Sequence, residues 1–160
     1  MKNFRMIVCL GWCLFVVTKL WAYHPPQQVQ TAFSQLYPSV TEVAWDKKGE
    51  WYIAAFIFNN KEKAVWFDRK AQWVMKETDV DALADIPQVV AEAYRANRMA
   101  SMWIKDIRII DFPKKPSVVA ITVRESNSEV EFIQFYSLGG KLLQSLNATQ
   151  LGVEIYPGLF

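Results

Sequence analysis

Between residues 25 and 146 the apolar positions switch from helical spacing to alternation, and then do so a second time. Pro25-Pro26 marks a helix start, because proline has no N–H to lose in a first turn. Val29, Ala32, Phe33 and Leu36 follow at the spacing of one helical face. Tyr37-Pro38 ends it, since the residue before a proline is pushed out of the helical region. Alternation then takes over. Thr41 to Asp46 places Val43 and Trp45 on one face of a strand. Trp51 to Phe58 and Ala64 to Asp68 flank Asn59-Asn60 and a charged stretch. Asn tolerates positive φ, so the pair predicts a tight hairpin. Its register sets Tyr52 opposite Phe67 and Ala54 opposite Val65 on one face. Ile53 opposite Trp66 and Ala55 opposite Ala64 fall on the other. Asp68 to Ala71 is the next turn and Gln72 to Thr78 the next strand.

The second pass opens at Asp85, expected as an N-cap, with Pro87 in the first turn. Ile86, Val89, Val90, Ala93 and Tyr94 form the apolar stripe. Strands are expected over Ile104 to Phe112, Ser117 to Glu125, Glu129 to Ser137 and Lys141 to Leu146. The turn between the second and third of these is Ser126-Asn127-Ser128. The pattern predicts an α+β fold. Two αββββ repeats, about 25–80 and 85–146, form one antiparallel sheet of about eight strands with two helices packed on one face. One domain is expected over 23–150. The tail 151–160 is apolar but broken by Gly152, Pro157 and Gly158, and the pattern assigns it no place.

Composition changes this picture mainly through the first twenty-two residues. Lys2 and Arg5 precede the apolar run Met6 to Val17, and Leu20-Trp21-Ala22 offers a cleavage site. This is the order of a signal peptide, 1–22, directing the chain to the periplasm or beyond after cleavage near Ala22. A retained leader would instead anchor the domain to the membrane. Cys9 and Cys13 both lie in the leader, so the mature chain has no thiol and relies on a packed core. Three of the 18 Lys and Arg lie there and none of the 16 Asp and Glu, so removal takes the net charge from +2 to −1. No basic field remains to hold nucleic acid.

Candidate chemistry is sparse. The one histidine, His24, sits beside the cleavage point. Asp79-x-Asp81-x-x-x-Asp85 lacks the central Gly and distal Glu of a calcium loop. The mature chain has no Cys and no well-placed His to activate a Ser, and no Gly-rich phosphate loop. Glu129 and Glu131 share a strand face without forming a telling motif. No catalytic residue, metal site or cofactor is therefore expected.

Over residues 27–146 the chain resembles the PepSY-like family of exported bacterial proteins, common in Bacteroidetes, with a β-lactamase-inhibitor-protein-like (BLIP-like) fold. The residues that carry the resemblance are Phe33, Tyr37-Pro38, Val43, Trp45, Tyr52-x-Ala54-x-Phe56, Val65-x-Phe67-Asp68 and Trp73. Ile86-Pro87 and Phe135 with Gly140 follow in the second pass. One departure is Ala71, where the family's first turn usually carries Gly. The resemblance implies a binding or inhibitory domain rather than an enzyme; the namesake of the fold clamps an enzyme with the open face of its sheet.

The family pattern assigns Tyr52, Ala54, Phe56, Val65 and Phe67 to the helix-covered face. Alternation then sends Trp51, Ile53, Ile57 and Trp66 to the opposite face, and the outer face of the second pass is expected to hold Phe132 and Tyr136 beside Thr122, Arg124 and Gln134. Exposed aromatic clusters edged by charge mark interfaces. Trp51, Ile53, Ile57, Trp66, Phe132 and Tyr136 are thus the expected contacts for a protein or peptide of the cell envelope. Two arrangements compete with this one. The apolar tail could fold over the same face, or the function could be a small-ligand or sensory pocket between helices and sheet.

Overall fold

The computed structural model describes residues 23–98, 101–151 and 155–159. The expected leader and both cysteines lie outside them. Eight strands form one sheet in chain order, every neighbour antiparallel. They are β1 (Ala44–Lys48), β2 (Trp51–Phe58), β3 (Lys61–Phe67), β4 (Trp73–Asp79), β5 (Met102–Asp111), β6 (Val118–Glu125), β7 (Glu131–Ser137) and β8 (Leu142–Asn147). Helix α1 (Gln27–Leu36) precedes β1–β4, and α2 (Gln88–Asn97) precedes β5–β8. This is the α+β class the hydrophobic pattern predicts.

Both helices cover the same face. Val29 and Phe33 of α1 pack on Ala54, Phe56, Val65 and Phe67. Val90, Ala91 and Tyr94 of α2 pack on Ile107, Val119, Ile121, Val123 and Tyr136. Cross-strand partners share a face. Phe56 faces Lys63, Lys63 faces Thr78, Thr78 faces Ile109 and Ile109 faces Val119, so the two clusters belong to one side. Phe33 meets Phe56 edge-on at 5.0 Å and Trp45 at 5.5 Å, the geometry in which ring quadrupoles attract.

The β2–β3 hairpin has the expected register. Asn59 and Asn60 adopt φ of 54° and 59°, and Tyr52 faces Phe67 while Ile53 faces Trp66. Two local expectations shift. Strand β1 begins at Ala44, so Val43 packs from the preceding loop. Asp85 does not cap α2. It closes a 3₁₀ turn, Leu83–Asp85, by accepting a hydrogen bond from the Ala82 amide at 3.2 Å, and Pro87 occupies the cap position.

The largest departure is at β6–β7. Glu125 N–H donates to Val130 C=O at 3.0 Å, so the connection is one residue longer than the expected Ser126-Asn127-Ser128 turn. Arg124 then faces Glu131 and Thr122 faces Ile133. A one-residue slip moves every side chain of a strand to the other face. Phe132 and Tyr136 therefore point toward α2, opposite to their expected placement, and Tyr136 is fully buried in the α2 cluster.

Candidate interaction face

The sheet face away from α1 and α2 divides into an apolar part and a charged part. In the apolar part Ile53 faces Trp66 and Trp66 faces Met75, while Ile110, Val118, Ala120, Ile133 and Phe135 continue the cluster across β5, β6 and β7. An antiparallel sheet rarely leaves so much apolar surface to water. The chain covers it itself. After β8 the short helix α3 (Ala148–Leu151) turns back, and Ala148, Ile155 and Leu159 pack onto this cluster. Ile155 is only 6% exposed. Of the competing arrangements, the tail takes this part of the face. Ile53 and Trp66 are consequently buried, at 7% and 4% exposure, and not open as expected. Trp51 is half-buried at the edge of the same cluster.

Ile57 alone among the expected contacts stands clear, 70% exposed. It borders the charged part, a groove of about 750 Å³ whose walls include Asp46 and Lys48 of β1, Glu62 of β3, Asp79 of β4, Lys105 of β5 and Glu131 of β7. Arg108 also lines it. Arg108 Nη1 donates to Glu77 Oε2 at 3.1 Å, and its Nε lies 2.8 Å from Asp106 and 3.2 Å from Asp79. Glu77 is the buried member, accepting a second bond from the indole N–H of Trp66 at 2.6 Å. The hydrogen-bonded pair therefore ties the covered apolar part to the open charged part.

Three carboxylates around one guanidinium leave an excess of negative charge. Burial pushes the Glu77 carboxyl above the usual range, against the opposing pull of Arg108 and the indole bond. Asp79 is raised too, by burial first and then by its acidic neighbours Asp106 and Glu62, again against Arg108. Burial would lower Arg108, but Asp106, Glu77 and Asp79 together raise it, so it stays a fixed cation. Lys105, set apart by a bulge between Ile104 and Asp106, bridges to Glu131 at 2.7 Å.

The charge cluster escapes local pattern analysis, although half of its signal is present. Glu77 with Asp79, and Asp106 with Arg108, each alternate and so share a strand face. Only the pairing of β4 with β5, which sets Asp79 opposite Arg108, brings the two sets together. The acidic run from Asp79 to Asp85 does not converge. Asp79 joins Arg108, whereas Asp85 closes its own turn. Among the described residues no group of three or more His, Cys, Asp or Glu is arranged to hold a metal ion. Trp73 packs beside the α1 cluster under the Lys76 ammonium at 4.1 Å, while Trp103 is exposed.

No family model and no curated protein matches the chain. Solved structures do. A DUF2874 family protein from Bacteroides ovatus ATCC 8483 superposes with a TM-score of 0.81 at 30% identity, covering 86% of this chain and 98% of that one. A candidate periplasmic protein from Bacteroides eggerthii DSM 20697 gives 0.76 at 30% identity, covering 80% and 92%. A BLIP-like protein from Bacteroides fragilis NCTC 9343 gives 0.70 at 31% identity, covering 81% and 91%. The chain is thus similar to a BLIP-like protein in both fold and sequence.

Proposed function

The chain belongs to the DUF2874 family, and from that premise we propose an exported, non-catalytic module that binds a protein or peptide through the open, charged part of its outer sheet face. The observation that carries this proposal is the division of that face. Its apolar part is covered by Ile155 and Leu159, whereas Ile57 stays exposed beside a groove whose walls combine acids and bases with the edges of Ile53, Trp66, Ile133 and Ile155. Isolated exposed apolar residues are ordinary. Ile57 differs in bordering a concave sheet region whose carboxylates exceed the single guanidinium holding them. That favours a partner presenting an apolar anchor together with Lys or Arg.

Export rests on the leader pattern of residues 1–22, with cleavage near Ala22, and the candidate periplasmic relative supports it. The PepSY-like resemblance and the treatment of the two helix-plus-four-strand halves as repeats belong to the same proposal; their shared order of elements supports both. The likeness to a BLIP-like protein supports binding over catalysis.

The test places a photo-crosslinking residue at position 57 and, as a control, at the exposed position 92 of α2, followed by irradiation of intact cells. Position 57 is expected to give a discrete adduct that position 92 does not, and Ile57→Asp should weaken that capture while the melting temperature holds. Adducts that are identical from both positions, or absent from both, would overturn the proposal.

A further inference from the structure

Strand β1 is shorter than the strand it pairs with. Its first residue, Ala44, faces Ala55, and the same register carried on would set Glu42 opposite Ile57. The chain leaves that line first, because Val40 and Val43 pack onto the α1 cluster instead. Among the described residues, Phe56, Ile57 and Phe58 therefore have β3 on one side and no strand on the other. A cleft of about 900 Å³ separates them from residues 39–43.

The hairpin fixes which backbone groups face this cleft. Asn59 and Asn60, at φ of 54° and 59°, form the turn, so Phe58 and Lys61 are its closing hydrogen-bonded pair. Alternation then directs the N–H and C=O of Phe58 and Phe56 toward β3, and those of Ile57 toward the cleft. Among the described residues no backbone hydrogen bond joins Ile57 to residues 39–43. Ile57 thus offers a donor and an acceptor side by side, which one residue of an antiparallel strand matches with two bonds. The charges on β1, at Asp46, Lys47 and Lys48, discourage pairing along the outer edge of the sheet. The vacated stretch of β2 carries no such charge.

The cleft is continuous with the charged groove, since Ala55, Phe56 and Ile57 line both. Ile57 pairs with Glu62 across β3, so a residue inserted opposite Ile57 joins that row on the outer face. Its two neighbours in the inserted segment point to the other face, where Val40 and Phe58 pack beside the α1 cluster.

We propose that an extended segment of the partner enters this cleft and adds to β2 as a short antiparallel strand, exchanging two backbone hydrogen bonds with Ile57. This rests on the partner-binding reading above and gives the partner its form. The central residue is Lys or Arg, its stem along Ile57 and its charge toward Glu62. The flanking residues are apolar and meet Val40 and Phe58. Ala44 closes the line at one end, which keeps the added strand short. Main-chain bonds supply affinity and alternate side chains supply selectivity.

The test has one arm without the partner and one with it. In the signal-free chain, amide hydrogen exchange read by NMR is expected to show Phe56 and Phe58 protected by β3 and Ile57 exchanging at least about tenfold faster. A protected Ile57 amide would overturn the proposal, because its ladder position would already be filled. In intact cells, a photo-crosslinking residue at exposed position 42, on the far wall of the cleft, is expected to give the same adduct as position 57. Ile57→Ala and Ile57→Pro both shorten the side chain, but only proline also removes the N–H, and that N–H points away from β3. With the crosslinker at position 42, Ile57→Pro is expected to capture about tenfold less than Ile57→Ala. Equal capture by two folded variants, or an adduct from position 57 that position 42 lacks, would overturn strand addition and leave the partner-binding reading standing. No adduct from either position would overturn both. If Ile57→Pro does not fold, the exchange rates and the position 42 adduct decide the matter.

Discussion

Trp66→Phe isolates the bond that joins the apolar and charged parts of the outer face. The phenyl ring keeps contact across the sheet with Ile53 and Met75, but the donor to Glu77 is lost. At neutral pH that bond runs from a neutral N–H to a buried carboxylate, and such bonds contribute about 1.5–3 kcal/mol. The smaller ring adds a packing loss of about 1–2 kcal/mol from a nearly closed site. The expected destabilisation is therefore about 2.5–5 kcal/mol near pH 7. Its pH dependence carries the sharper test. The Glu77 carboxyl is raised above its ordinary value of 4.5 by burial, with the indole bond among the forces holding it down. A carboxyl raised on folding contributes stability that is complete below its unfolded value and lost as pH rises through its folded value. Removing the indole donor raises the folded value further, so the variant loses more than the parent between pH 4 and pH 7. At the acid end Glu77 is neutral in both proteins, and the missing bond is worth only about 0.5–1.5 kcal/mol. Urea unfolding followed by far-ultraviolet circular dichroism at both pH values should show the gap between parent and variant narrowing by about 1 kcal/mol at low pH. With Glu77→Gln introduced into both parent and variant, the gap between them should no longer depend on pH. A gap that is the same at both ends of the range would refute the assigned role of the indole bond.

Three further outcomes follow from the geometry. Ala71 sits at φ of 59°, a region that favours glycine, so Ala71→Gly should stabilise the chain by about 0.5–1 kcal/mol in thermal unfolding, less whatever contact its methyl makes beside the α1 cluster. Gly140 has φ of 82°, and an added Cβ would lie 2.8 Å from the Val89 carbonyl oxygen on α2; Gly140→Ala should cost about 1–3 kcal/mol and disturb amide shifts in the first turn of α2. Ile155→Ala removes the buried anchor of the tail. It should cost up to about 2–4 kcal/mol, limited by the free energy of tail docking, and speed hydrogen exchange in the tail before that of β6.

The elements were legible because their signals are local. Asn59-Asn60 supplies two residues that accept positive φ between alternating strands, and this alone sets the β2–β3 register. The helical stripes around Phe33 and Tyr94 likewise identify the faces that meet the sheet. The β6–β7 connection shows how little is needed to lose a site. Neither three nor four residues is marked by Gly or Pro, and the extra residue carries Phe132 and Tyr136 from the expected binding surface into the α2 face.

By itself the sequence determined the order of helices and strands, the antiparallel sheet, the α+β class and the leader pattern, because periodicity, turn residues and charge order are properties of neighbouring positions. The tertiary structure decided what the outer face presents. Ile155 and Leu159 lie about ninety residues from Trp66 in the chain, and no local pattern says that they cover it. Arg108 meets Glu77 and Asp79 only because β4 pairs with β5, and the Tyr94 hydroxyl, which has no hydrogen-bond partner among the described residues, is buried where α2 settles on β6 and β7. Burial and charge pairing across the fold are sums over distant residues, and they turned an expected aromatic surface into a sealed core beside an open, charged groove.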